Sequence, residues 1–95
     1  MITPMAYGVS KGGLIHSTKL LSVKLAPKIR VNAISPGGVF RNQSKKFLKK
    51  YLSKTPLKRM ANENEISNVV IFLSSDLSSY ITGHNLIIDG GYSLT

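Results

Sequence analysis

Tyr7-Gly8-Val9-Ser10-Lys11 sets a phenol and an ammonium four residues apart. At about 100° per residue, positions i and i+4 of a helix lie within about 40° of each other, so both side chains can address one space. A phenol ionises near pH ~10, too high for ready proton exchange at neutral pH. A unit positive charge ~4 Å away favours a phenolate by about 4 kcal/mol at an effective dielectric near 20. That is the energy needed to bring such a group to about 7. A helix N-terminus adds a further ~0.3–1 kcal/mol of the same sign. Tyr7 is therefore a candidate proton donor and acceptor, provided Lys11 is close and charged. Standing alone, the pair is equally at home on a solvated helix face. The segments that follow decide between the two.

The elements that must position the pair read as an α/β chain. Residues 8–26 form a helical stripe of Val9, Leu14, Thr18, Leu21 and Leu25, stopped by Pro27. Gly12 and Gly13 weaken this helix by roughly 1 kcal/mol each and suggest close packing of another backbone or a ligand. Lys28 to Ile34 reads as a largely apolar strand covered on both faces, ended by Ser35-Pro36-Gly37-Gly38. In parallel α/β sheets the loop at the carboxyl end of a strand is where ligands bind. Asn42 to Lys54 is a short amphipathic helix. Phe47, Leu48, Tyr51 and Leu52 form one face, and Lys45, Lys46, Lys49, Lys50 and Lys54 the other. Asn62 or Asn64 can cap the next helix, with Glu63 and Glu65 against its positive end. That helix runs to about Ser75 and buries Ile66, Val69, Val70 and Leu73. Asp76 to Gly83 is a turn region, and Asn85 to Asp89 is a second strand ended by Gly90-Gly91. Right-handed crossovers would make the two strands parallel and adjacent, with helices on both faces.

The totals bound the rest. Ninety-five residues allow one small domain with a thin core. There is no cysteine, which excludes disulfides and thiolate metal sites. His16 and His84 have no partners at metal-ligand spacing, so no metal is expected. The start of the chain lacks the pattern of a signal peptide, and the apolar runs are too short to span a bilayer, which leaves the cytoplasm as the default. Net charge is +9, with all 13 basic residues at or before Arg59 and all four acids after it. A basic half suggests an anionic partner. Balancing acids supplied by further polypeptide explain it more simply. For the lysine-rich helix, a cover over the substrate ranks ahead of a membrane-surface helix. Nucleic acid ranks last, for want of interleaved exposed aromatics or a known motif.

Four segments in order resemble the C-terminal portion of the short-chain dehydrogenase/reductase family. Tyr7 to Lys11 resembles its Y-x-x-x-K signature, and Ile29 to Gly38 its I-R-V-N-x-I-x-P-G strand and loop. Pro56-Leu57-Lys58-Arg59 with Glu65-Ile66 resembles its P-L-x-R and E-I stretch. Phe72 to Asp76 and Thr82-Gly83 through Asp89-Gly90-Gly91 are similar to its tail. The resemblance implies a partial domain over residues 1–95, the last strands of a Rossmann-like doubly wound parallel sheet with flanking helices. It implies an oxidoreductase interconverting a carbonyl and an alcohol with NAD or NADP. Tyr7 would be the general acid/base. Lys11 would activate Tyr7 and hold the nicotinamide ribose, and Pro36, Gly37, Gly38 and Val39 would line the nicotinamide. The parent family is usually oligomeric. Arg41 stands where the family often has threonine, and Lys24 where it commonly has glutamate. The glycine-rich phosphate loop and the catalytic serine of the family have no counterpart in these residues, and Ser10 is not that serine. The isolated chain is therefore expected to need an N-terminal half. The alternatives are a non-catalytic remnant or subunit, and a basic module binding anions or a membrane surface.

Overall fold

The computed structural model describes residues 4–95. Helix α1 (Pro4–Leu25) leads to strand β1 (Ala33–Pro36), then helices α2 (Lys45–Ser53) and α3 (Glu63–Leu73), and strand β2 (Asn85–Ile88). Short 3₁₀ turns lie at Asp76–Ser78 and Tyr92–Leu94. The strands are parallel and adjacent, with Ala33 opposite Asn85 and Pro36 opposite Ile88. Alternation along β1 separates the two faces. Ala33, Ser35 and Asn85 line a hollow with α1, whereas Arg30, Asn32 and the end of α3 line another, with Ile34 at the rim of both.

Helix α1 begins before residue 8, so Tyr7 and Lys11 lie inside it rather than at its entrance. Its inner face also differs from the apolar stripe expected. Lys11, Ile15, Thr18, Ser22 and Leu25, spaced four and three residues apart, turn inward, and Val9, Leu14 and Leu21 are exposed. The reason is the turn packed against it. Gly83 has φ +76°, and a Cβ there would lie 2.8 Å from Ser22 Oγ, so this turn closes on α1 at Ser22. Thr18 and Ser22 return their hydroxyls to the helix carbonyls of Leu14 and Lys19, which lets these polar side chains be buried. Gly12 and Gly13 have open space around them among the described residues, with no backbone packed there.

Strand β1 starts five residues later than expected. Residues 30–32 lie outside the strand and bond to the turn before β2 through side chains and through the Gly83 amide, which donates to the Val31 carbonyl. The Val31 amide donates to Thr82 Oγ1, Asn32 donates to the Ile81 carbonyl, and the His84 amide donates to Asn32 Oδ1. Arg30 reaches further, donating to the carbonyls of Leu73, Ser75 and Ile81. One guanidinium thereby satisfies orphan carbonyls at the end of α3 and fixes the turn behind β2.

Asn62 is the cap of α3. Its side chain accepts from the Glu65 amide, and Glu65 accepts from the Asn62 amide, a complete capping box. Ile66, Val69 and Leu73 turn inward, but Val70 is 44% exposed, off the expected face. Ile87 on β2 is also exposed, so the sheet is not covered on both sides by the described residues. Met60 is the only buried apolar side chain among them.

Candidate active site

The site is built from two segments that α1 and the sheet bring together. On α1, the Lys11 ammonium lies over the Tyr7 ring, 5.9 Å from its centroid, a cation–π arrangement. Tyr7 is 55% exposed. The Ser10 hydroxyl between them donates to the Ala6 carbonyl at 2.8 Å, which commits it to the helix.

The second segment is the loop leaving β1. The Gly37 amide donates to the Ile88 carbonyl, extending the ladder by one residue. Gly38 accepts from the Ala61 amide, and the Phe40 amide donates to the Ala61 carbonyl, so Val39 sits in a parallel bridge to Ala61. Gln43 closes the loop, donating to the Val39 carbonyl and accepting from the Arg41 amide. The Val39 N–H makes no hydrogen bond among the described residues. The two glycines have a protein reason to be glycine. A Cβ on Gly37 would lie 2.7 Å from Asp89 Cβ, and one on Gly38 would lie 2.8 Å from Tyr51 Cζ.

The two segments meet across adjoining cavities. One, of about 290 Å³, is lined by Tyr7, Ser10, Lys11 and Ile15 of α1 with Ala33, Ile34, Ser35 and Asn85 of the sheet. The next, of about 300 Å³, shares Lys11, Ile15, Ser35 and Asn85 and adds Pro36, Gly37, Asp89 and Tyr92. Tyr7 thus borders the first cavity, Pro36 and Gly37 the second, and Lys11 both, whereas Val39 lines neither. Gly38 instead lines a cavity of about 100 Å³ under Tyr51, with Arg59 and Glu65. No group of three His, Cys, Asp or Glu capable of holding a metal occurs among the described residues. No helix among them is long and apolar enough to cross a membrane.

Several site residues escape a sequence reading. Ser35 donates to Asn85 Oδ1 at 2.8 Å across the floor shared by both cavities. Asp89 accepts from the amides of Gly91 and Ser93, 2.9 Å each, and thereby shapes the turn beside the hollow. Hydrogen bonding from Ser93, side chain and amide, and then from the Gly91 amide, holds the Asp89 carboxyl below its ordinary range. Tyr51 was visible only as one member of an apolar helix face. A tyrosine among leucines at an inward position is itself a signal, because its hydroxyl needs a partner.

A helix packed against two adjacent parallel strands, with further helices in the crossover, defines a Rossmann-like α/β segment. The family model described as enoyl-(acyl carrier protein) reductase matches residues 2–93. The 3-oxoacyl-[acyl-carrier-protein] reductase FabG of Buchnera aphidicola from Schizaphis graminum is 46% identical over 94 residues, covering 94% of this chain and 38% of that protein. A short-chain dehydrogenase structure from Leptospira borgpetersenii with bound NAD+ superposes with a TM-score of 0.87 at 53% identity, covering 93% of this chain and 35% of its own. A 4-hydroxyisoleucine dehydrogenase complexed with NADH gives 0.89 at 32% identity, covering 100% of this chain and 43% of its own. The chain belongs to the short-chain dehydrogenase/reductase family. It spans well under half the length of the relatives it matches.

Proposed function

We propose that this chain supplies the proton-transfer pair and the nicotinamide wall of an NAD- or NADP-dependent oxidoreductase that interconverts a carbonyl and an alcohol. The observation that carries this reading is the shared hollow: Lys11 borders both the cavity beside Tyr7 and the cavity beside Pro36 and Gly37. The donor set fits a nicotinamide nucleotide. The Lys11 ammonium, ready for ribose hydroxyls, and the Tyr7 phenol border one cavity, and on the loop beyond it the Val39 N–H is without a protein acceptor among the described residues.

The bound nicotinamide would supply or accept the hydride. In the reducing direction the Tyr7 hydroxyl gives its proton to the carbonyl oxygen. In the oxidising direction the phenolate takes the proton of the alcohol. Lys11 stands beside Tyr7 on α1, its ammonium 5.9 Å from the centre of the ring. The substrate is a small molecule entering past Phe40, Arg41 and α2. Because the chain spans 38% of its Buchnera relative, the remaining parts of the site, including that for the adenosine half of the cofactor, come from further polypeptide. The assembled enzyme is a homo-oligomer.

The test is NADH and NADPH titration followed by nicotinamide fluorescence. It is run on the chain alone and on the chain complemented with the N-terminal half of a relative, each as wild type and Tyr7→Phe. General acid–base catalysis contributes ~10²–10⁴-fold. Tyr7→Phe should therefore cut carbonyl reduction by at least ~100-fold in the complemented form and change cofactor affinity by less than about threefold. Absence of nucleotide binding in both forms would overturn the proposal, as would full activity in Tyr7→Phe.

A further inference from the structure

The loop that forms the proposed nicotinamide wall is tied to α2 by one side chain. Tyr51 Oη accepts from the Gly38 amide at 2.6 Å. The Tyr51 ring stacks on Tyr92 at 4.8 Å between centroids and 12° between planes, and its other neighbour on α2, Phe47, lies at 6.1 Å and 18°. The ring also abuts both glycines, since a Cβ at Gly37 or Gly38 would meet it at 3.0 or 2.8 Å. The C-terminal segment grips the same helix end: Thr95 Oγ1 donates to the Lys54 carbonyl, and the Leu57 amide donates to the Gly90 carbonyl. Three separate parts of the chain therefore converge on one tyrosine: the loop after β1, the helix α2 and the tail after β2.

We propose that Tyr51 is a positioning residue that couples the location of α2 to the conformation of the Pro36–Val39 loop. With the hydroxyl on the Gly38 amide and the ring against the glycines, α2 lies closed and the loop is held in one shape. Lifting α2 withdraws the acceptor from Gly38 and the surface that supports the loop. Any ligand that binds one arrangement of the loop then shifts α2, and anything that seats α2 shifts affinity at the loop by the same factor. This functional consequence rests on the reading of the loop as a nicotinamide wall; the mechanical link does not. Phe47 is half exposed and the lysines of α2 face outward, so α2 is held on its inner side chiefly by the residues around Tyr51.

Hydrogen exchange resolved by residue tests the link on the full chain without NADH and, with NADH, on the chain complemented with the N-terminal half of a relative. Tyr51→Phe removes the hydroxyl and keeps the stack. Tyr92→Leu removes the stack and keeps the hydroxyl. Without NADH, Tyr51→Phe should speed exchange of the Gly38 amide and of the α2 amides together by at least tenfold, leaving β2 and α3 amides within threefold of wild type. Tyr92→Leu should do the same more weakly. Faster exchange at Gly38 alone, or at neither place, would overturn the proposal, as would a uniform rise over all elements. With NADH, wild type should gain protection in α2 and Tyr51→Phe should not. Equal α2 protection in both would overturn the coupling and spare the nicotinamide reading. Failure of wild type to bind NADH would count against that reading, and the link is then decided by the nucleotide-free exchange.

Discussion

At the scale of residues, two of the chain's four acidic side chains, Glu65 and Asp89, lie where amide or guanidinium donors meet them. The Arg59 guanidinium grips Glu65 with two bonds of 2.6 and 2.7 Å, and the Asn62 amide adds a third. Together these hold the Glu65 carboxyl at about 2, against an ordinary value of 4.5. Asp89 is lowered in the same sense by Ser93 and Gly91. A carboxyl depressed on folding adds stability that is complete above its unfolded value and is lost as pH falls towards the folded one. Stability should therefore be flat above about pH 5 and decline between there and pH 2. Both groups are exposed, so salt will soften the effect. Urea midpoints measured across that range should fall less steeply in Glu65→Gln and Asp89→Asn than in wild type. Parallel slopes in all three would contradict the assignment.

At the scale of elements, what could be read in advance was largely local. A cap at Asn62 or Asn64 and the glutamates at the start of α3 follow from neighbours within a few residues, while the parallel pairing of the two short strands was expected from the handedness of crossovers. The inner face of α1 did not follow, because its buried Ser22 faces Gly83 on a distant turn. The late start of β1 did not either, since the partners of Arg30 and Asn32 lie 43 to 52 residues away. For the candidate site, the segments carrying Tyr7, Lys11, Pro36 and Gly37 were legible. Gly38 turning away to Tyr51, and the Ser35–Asn85 floor, required the fold. The local cap and the remote clamp make a matched test. Asn62→Ala should cost about 1 kcal/mol, as for a lost N-cap. Arg30→Lys should cost more, since an ammonium cannot span the carbonyls of Leu73, Ser75 and Ile81 with one planar fork. Urea denaturation of both variants checks the order.

At the scale of the whole molecule, the described residues make an open body. Their radius of gyration is 15.4 Å, against about 12–13 Å for a compact domain of this length. Apolar side chains on the outer side of α1, such as Val9, Leu20 and Val23, face solvent, and β1 has a paired neighbour on one edge only. Surfaces of that kind are covered in working proteins. The isolated chain should bind a hydrophobic dye such as ANS and lose that binding when complemented with the N-terminal half of a relative. Equal dye binding before and after would argue that the exposed faces stay exposed. The strand pairing also sets the order of assembly. Ser35 and Asn85 are 50 residues apart in the chain, and a contact so remote pays its loop-closure entropy before it returns anything. Helix α1 and its Tyr7–Lys11 pair need only their own neighbours. The Tyr7–Lys11 pair is therefore set by contacts within α1, whereas the hollow beside it forms only when the β2 segment brings Asn85, Asp89 and Tyr92 alongside.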